Sequence, residues 1–120
     1  MKGHVDSPEQ VVQRQLEAYN RRDIDAWLET YRSDAEQFEL HGALLARGHD
    51  EMRARMLVRF QEPDLHAALL SRVVVGDFVI DHERITRTFA DGRGAVEMLC
   101  IYEVKNGHIS KASFAVSARL

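Results

Sequence analysis

Apolar residues recur along this chain at two different intervals, and the interval changes near Pro63. In the first half Val11, Val12, Leu16 and Tyr19 return at helical spacing. Ahead of them Ser7-Pro8-Glu9-Gln10 reads as a helix start, with a hydroxyl cap, a proline in the first turn and Gln10 placed for a capping box. This helix is predicted to fade at the NRRD stretch, residues 20–23. Asp23 then caps a second, short helix, IDAWLETY, whose apolar face is Ile24, Trp27, Leu28 and Tyr31. Residues 33–42, SDAEQFELHG, read as a turn followed by a short strand. Beyond Gly48-His49-Asp50, Met52, Met56 (or Leu57) and Phe60 give a third helix, which the Pro63-Asp64 turn ends.

From there the pattern is that of strands. LHAALLSRVVV and FVIDHERITRTF are split by Gly76-Asp77, a tight hairpin signal. ADGRG, a looser turn, leads into AVEMLCIYEV. Asn106-Gly107, the most specific local signal in the chain, turns into HISKASFAV. There is no internal repeat, low-complexity tract or linker. Segregated helices followed by an antiparallel meander imply an α+β fold, with three helices packed on one face of a curved, mainly antiparallel sheet.

The 120 residues fit a single domain, 1–120, long enough to close a core without metals or crosslinks. Sixteen basic and 19 acidic residues are scattered in both signs, which leaves no electrostatic footprint for nucleic acid or an anionic membrane. Cys100 is the one cysteine, so no internal disulfide framework is possible and a reducing compartment fits. No apolar run approaches the ~20 residues of a membrane span, and MKGHVDSPEQ has no apolar leader segment, so a cytoplasmic protein is expected.

That element order resembles the nuclear-transport-factor-2-like superfamily, and within it the SnoaL-like and ketosteroid-isomerase-like proteins. The resemblance is carried by VVQRQLEAYNRRDIDAWLETYRSDA, with Asn20, Asp23 and the Asp34-Ala35 step, and by IYEVKNGHISKASF near the end. It spans about Pro8 to Val116 and implies a cone: a bent sheet wrapped around a long helix, with an apolar cavity at the open end. Such proteins commonly pair as homodimers through the outer face of the sheet. Ketosteroid isomerases move a proton with a carboxylate on the first strand, while a tyrosine and a protonated aspartate hold the enolate oxygen. By resemblance the base position falls on Glu39, the tyrosine position on Gln15 with Tyr19 one turn further, and the aspartate position on Cys100. The last two depart from the pattern, since an amide is a less acidic donor than a phenol and a thiol is a weak one.

Strand alternation puts Val96, Met98, Cys100, Tyr102 and Val104 on one side, and Ala112, Phe114 and Val116 match them in the last strand. The resemblance turns this set into the cavity and leaves Leu99 and Ile101 outside, where they favour a dimer seam. The expected pocket is therefore lined by Tyr31, Met98, Cys100, Tyr102, Ala112, Phe114 and Val116, and it suits an apolar small molecule. His82, Arg84 and Thr86 share one face of their strand. If that face is the cavity they can bind a polar ligand, with His82 among the expected substrate-binding residues; if it is the outer face they belong to the dimer seam. Alternation alone does not choose. The spacings of the histidines form no metal-ligand motif, and neither metal nor cofactor is expected.

Three functions stay open at this point. One is cofactor-free proton transfer on an apolar carbonyl compound, steroid- or polyketide-like, as in an isomerase or cyclase. Glu39 would be the base, with its pKa raised by burial, and Gln15 and Tyr19 the donors. The second is a non-catalytic ligand-binding or dimeric association module. The third is a dehydratase or hydrolase using His82 with Glu39.

Overall fold

The computed structural model describes residues 5–120; residues 1–4, part of the stretch read above for a leader segment, lie outside them. The first helix, α1 (Pro8–Arg21), starts as its sequence dictates. Ser7 Oγ accepts the Gln10 amide at 3.2 Å, and the Ser7 amide donates back to Gln10 Oε1 at 2.8 Å, which closes a capping box. Arg22 ends the helix in a left-handed conformation, φ 57°. Its guanidinium donates to the carbonyls of Glu62, Pro63 and Leu65, tying the end of α1 to a distant loop.

Asp23 caps α2 (Ile24–Glu29) by accepting the Ala26 amide at 3.1 Å. This helix is shorter than its apolar spacing predicts. Thr30 turns its hydroxyl back onto the Trp27 carbonyl, and Tyr31 begins β1 (Tyr31–Glu39) instead of completing the helix face. A threonine hydroxyl that competes for a helical carbonyl weakens the helix at that point. A four-residue strand, β2 (Leu44–Arg47), pairs antiparallel with β1 and was not foreseen from the sequence; α3 (Gly48–Arg59) follows directly.

The remaining strands are β3 (His66–Val75), β4 (Phe78–Phe89), β5 (Gly92–Lys105) and β6 (His108–Val116). Asn106 and Gly107 both take positive φ, 53° and 81°, as a two-residue hairpin matched to strand twist requires. The sheet order is β2-β1-β6-β5-β4-β3. All neighbours are antiparallel except β1 and β6, whose parallel pairing brings the early strand to the end of the meander. The curved, mixed sheet wraps α1, which lies against β3, β4, β5 and β6. Asn20 fixes that docking, because its side-chain amide exchanges two hydrogen bonds, 2.8 and 2.9 Å, with the backbone of Ala67 on β3.

The core is continuous from α1 through Trp27, Tyr31 and Met52 to Val79, Ile85, Val104 and Ile109. On β5 the side containing Val96, Cys100, Tyr102 and Val104 is buried, while Leu99 is exposed and Ile101 half-buried. The two faces of the sheet thus follow the alternation expected of them.

Candidate functional site

At one end of the core the packing leaves a cavity of roughly 170 Å³. Its walls come from α1, α2, α3 and from β1, β2, β4, β5 and β6. The apolar part is Leu16, Ile85, Met98, Phe114 and the ring of Tyr102, with Phe114 edge-on to Tyr102 at 6.3 Å. The polar part contains the chemistry.

β4 contributes two acids to the inner face, Asp81 and Glu83. Asp81, fully buried, accepts both arms of Arg72, at 2.7 and 3.0 Å, and Arg72 also donates to Gln13. Glu83, 4% exposed, lines the cavity, and its Oε2 has no hydrogen-bond partner. Burial raises its pKa to about 7, and the charge on Asp81 pushes the same way. The Cys100 thiol and the Arg72 guanidinium pull back against that rise. Near neutral pH the carboxyl is thus divided between its two protonation states.

Two other buried polar atoms share the condition of Glu83 Oε2: Gln15 Oε1 and Trp27 Nε1. Among the described residues these three are the buried side-chain nitrogen and oxygen atoms without a partner, and all three residues line this one cavity. Buried polar atoms without a protein partner are uncommon in native interiors, and the convergence of three on one hollow marks it as the place where water or a ligand would complete their hydrogen bonds.

Beside them Tyr19, Tyr31 and Tyr102 are pushed above the ordinary phenol range by burial, which keeps their hydroxyls protonated. Gln37, 1% exposed, donates to the Tyr31 hydroxyl at 3.5 Å and accepts Arg55 Nη1 at 3.2 Å. Three guanidiniums, Arg55, Arg59 and Arg87, also reach the cavity wall. Glu62 takes Arg87 with both oxygens at 2.7 Å and lies 3.7 Å from Arg59. Arg87 in turn holds the Glu62 carboxyl below its usual range.

Gln15, Tyr19, Tyr31, Met98, Cys100, Tyr102, Phe114 and Val116, all expected at the pocket, line it. Cys100 is buried, and burial raises its thiol pKa well above the ordinary value, so it is a neutral thiol. Ala112 is wholly buried, between Gln37 of β1 and Tyr102 of β5, in the core behind the cavity wall. Glu39 has the inward parity of its strand, opposite Phe114, and lines the cavity, yet it is exposed. It therefore lacks the burial on which its role as base was argued.

His82 lies elsewhere. Phe89 pairs with Gly92, so the β4–β5 hairpin sets Glu83 opposite Met98 and Asp81 opposite Cys100. The odd-numbered residues of β4 then face inward and His82 faces out, 3.3 Å from Glu97, with both side chains 43% exposed. The buried acid that sequence reasoning missed, Glu83, sits in the Asp81-His82-Glu83 cluster, on the face opposite His82. Among the described residues no group of three histidine, cysteine or carboxylate side chains is arranged to hold a metal ion, and no helix is long and apolar enough to cross a membrane.

A bent six-stranded sheet closed over three helices, with polar atoms aimed into the hollow, defines a cone-shaped α+β class of cystatin-like, ketosteroid-isomerase-like fold. Residues 12–112 match the SnoaL-like domain, and the chain belongs to that family. A cystatin-fold protein from Novosphingobium aromaticivorans superposes with a TM-score of 0.85 at 21% identity, over 92% of this chain and 98% of that one. A protein with a ketosteroid isomerase-like fold from Catenulispora acidiphila, solved with trimethylamine, gives 0.77 at 15% identity, over 92% and 86%. A candidate SnoaL-like polyketide cyclase from Jannaschia gives 0.78 at 19% identity, over 96% and 92%. No curated protein matches the chain in sequence. At these identities the structural likeness speaks for the fold alone.

Proposed function

We propose that this SnoaL-like protein binds a small, largely apolar carbonyl compound in its cavity and moves a proton on it without a cofactor, with Glu83 as the acid–base group. The observation that carries the reading is the convergence of Glu83 Oε2, Trp27 Nε1 and Gln15 Oε1, all buried and unpartnered, on one hollow. A carboxyl with a pKa of about 7 is matched to taking and returning a proton near neutrality. The indole N–H of Trp27 and the hydroxyl of Tyr19 are donors for an oxygen that gains negative charge as the proton leaves. Gln15 adds an amide to that set. Glu39 remains at the exposed edge of the cavity, where water screens it, and takes a lesser part.

The test needs no knowledge of the natural substrate. A panel of enolisable ketones, β,γ-unsaturated ones included, is incubated with the protein in deuterated water, and deuterium gain next to the carbonyl is followed by mass spectrometry. Glu83→Gln is expected to slow protein-dependent exchange by about 10²–10⁴-fold, the usual contribution of a positioned acid–base group. Glu39→Gln should leave it within a few-fold. Undiminished exchange in Glu83→Gln would remove Glu83 from the role.

A binding module without turnover is the second reading, and one feature favours it. The deep, inward position of β1 holds Gln37, an amide that takes no part in proton transfer. Ligand affinity without any deuterium exchange would decide for it.

We further propose that the outer sheet face joins two copies of the chain. Val73, Val75, Phe78 and Leu99 are exposed there, with Ile80 and Ile101 between them in register. One solvated face of an antiparallel sheet is normally polar, so this patch is suited to self-burial. Light scattering should give twice the chain mass, and Leu99→Lys should return the monomer. A monomeric wild type at high concentration would refute the pairing.

A further inference from the structure

Among the cavity's guanidiniums, Arg55 stands apart. Arg87 has its charge matched by a two-point pairing with Glu62, and Arg59 shares the same carboxylate. Arg55 has no carboxylate partner among the described residues; its one hydrogen bond runs to the amide oxygen of Gln37 at 3.2 Å. It is nevertheless half-buried and lines the cavity wall. A guanidinium offers five donors in a rigid fork, so one bond to a neutral acceptor leaves most of its capacity unused.

Filling the cavity sharpens the imbalance. A neutral ligand would strip water from Arg55 and give its charge nothing in return, which is unfavourable. A carboxylate would meet the fork with two charge-assisted bonds and cancel that loss. The depth of the two groups sets an orientation, since Glu83 is 4% exposed and Arg55 lies nearer solvent. The charged end of such a ligand would sit toward the opening, with its apolar body along Met98 and Phe114 and its reactive end at Glu83.

We infer that the cavity selects organic acids: ligands with an apolar body and one carboxylate, held by Arg55. This rests on the cavity reading above and deepens it, because a neutral ketone of steroid type would leave the guanidinium unmatched. Arg55 is a specificity-determining residue, distinct from the group that moves the proton.

A matched pair of probes tests it, 4-cyclohexylbutanoate and 4-cyclohexylbutanamide, which share a body and differ in charge. Trp27 is the chain's one tryptophan and lines the cavity, so its fluorescence reports occupancy while calorimetry gives the affinity. At about pH 6 the acid is ionised and Glu83 largely protonated. The acid is expected to bind the wild type at least ~10-fold more tightly than the amide. Arg55→Gln should erase that preference, and Arg55→Lys should keep part of it, since the charge stays and the fork is lost. If the amide changes Trp27 fluorescence and binds as well as the acid, the inference falls while the acid–base reading stands. A preference that persists in Arg55→Gln would overturn the assignment to Arg55. If neither probe perturbs Trp27 at millimolar concentration, the inference falls together with the cavity reading beneath it.

Discussion

Asp81 and Glu83 lie two residues apart on the same face of the same strand, and the protein treats them in opposite ways. Asp81 meets a guanidinium with both oxygens, and that guanidinium is anchored in turn by Gln13 of α1. Glu83 is buried almost as deeply, yet one of its oxygens has no partner. The first arrangement is a closed ion pair that joins β4 to β3 and α1. The second stays open toward a cavity. Burial alone therefore does not single out a candidate acid; burial with an unpartnered oxygen facing a cavity is what sets Glu83 apart as the acid proposed to act.

The largest effect expected from this contrast is on stability. Asp81→Asn leaves Arg72, whose side chain is 11% exposed, without its counter-charge. Breaking one side of a buried pair costs about 3–5 kcal/mol, and urea unfolding at neutral pH should show a loss of that order. Glu83→Gln removes a charge that has no ion-pair partner among the described residues and that burial disfavours, so the same measurement should show little loss of stability. If Asp81→Asn unfolds at the wild-type midpoint, the division into a structural and a functional acid fails.

Much of the fold was legible because local signals and the global pattern agreed. The Ser7 and Asp23 caps, the Asn106-Gly107 turn and the β5 alternation each have a single physical reading, and each stands where its sequence put it. Strand β2 escaped because LLAR, at four residues, is too short for alternation to register, and its pairing with β1 is a tertiary event. Tyr31 satisfied the spacing of α2, yet the Thr30 hydroxyl closed that helix before reaching it.

The site was half legible for a related reason. Both faces of β4 mix apolar with polar residues, Phe78 and Ile80 on one and Val79, Ile85 and Phe89 on the other, so alternation could separate His82 from Glu83 without saying which one faces inward. Hairpin register would have decided it. With Phe89 paired to Gly92, a cavity-facing Cys100 places Asp81 inside and, two residues along, Glu83. Reading ADGRG as a loose turn left that register unset. The base position then went to Glu39 on β1 by resemblance, where parity was correct and burial was not.

A smaller effect, but one that isolates Glu83 from every other acid, is the pH dependence of stability. Its carboxyl rises from an ordinary 4.5 to about 7 on folding, so the folded protein retains a proton that the unfolded chain releases between those values. The stabilising contribution is fully present below about 4.5 and is lost as pH rises through about 7, a change on the order of 3 kcal/mol. Glu62 acts in the opposite sense: its pKa is lowered by Arg87, so its contribution is present above the usual carboxylate value and fades as pH falls. The raw stability curve therefore mixes the two, and the difference between wild type and Glu83→Gln separates them. That difference should move by about 3 kcal/mol in favour of Glu83→Gln from pH ~4.5 to pH ~8, because only the wild type must bury a charge at the upper end. In an Asp81→Asn background the swing should shrink, since the Asp81 charge is the second cause of the raised value. A flat difference across the window would mean that Glu83 ionises as freely in the fold as in water, and the cavity would then hold no poised acid at all.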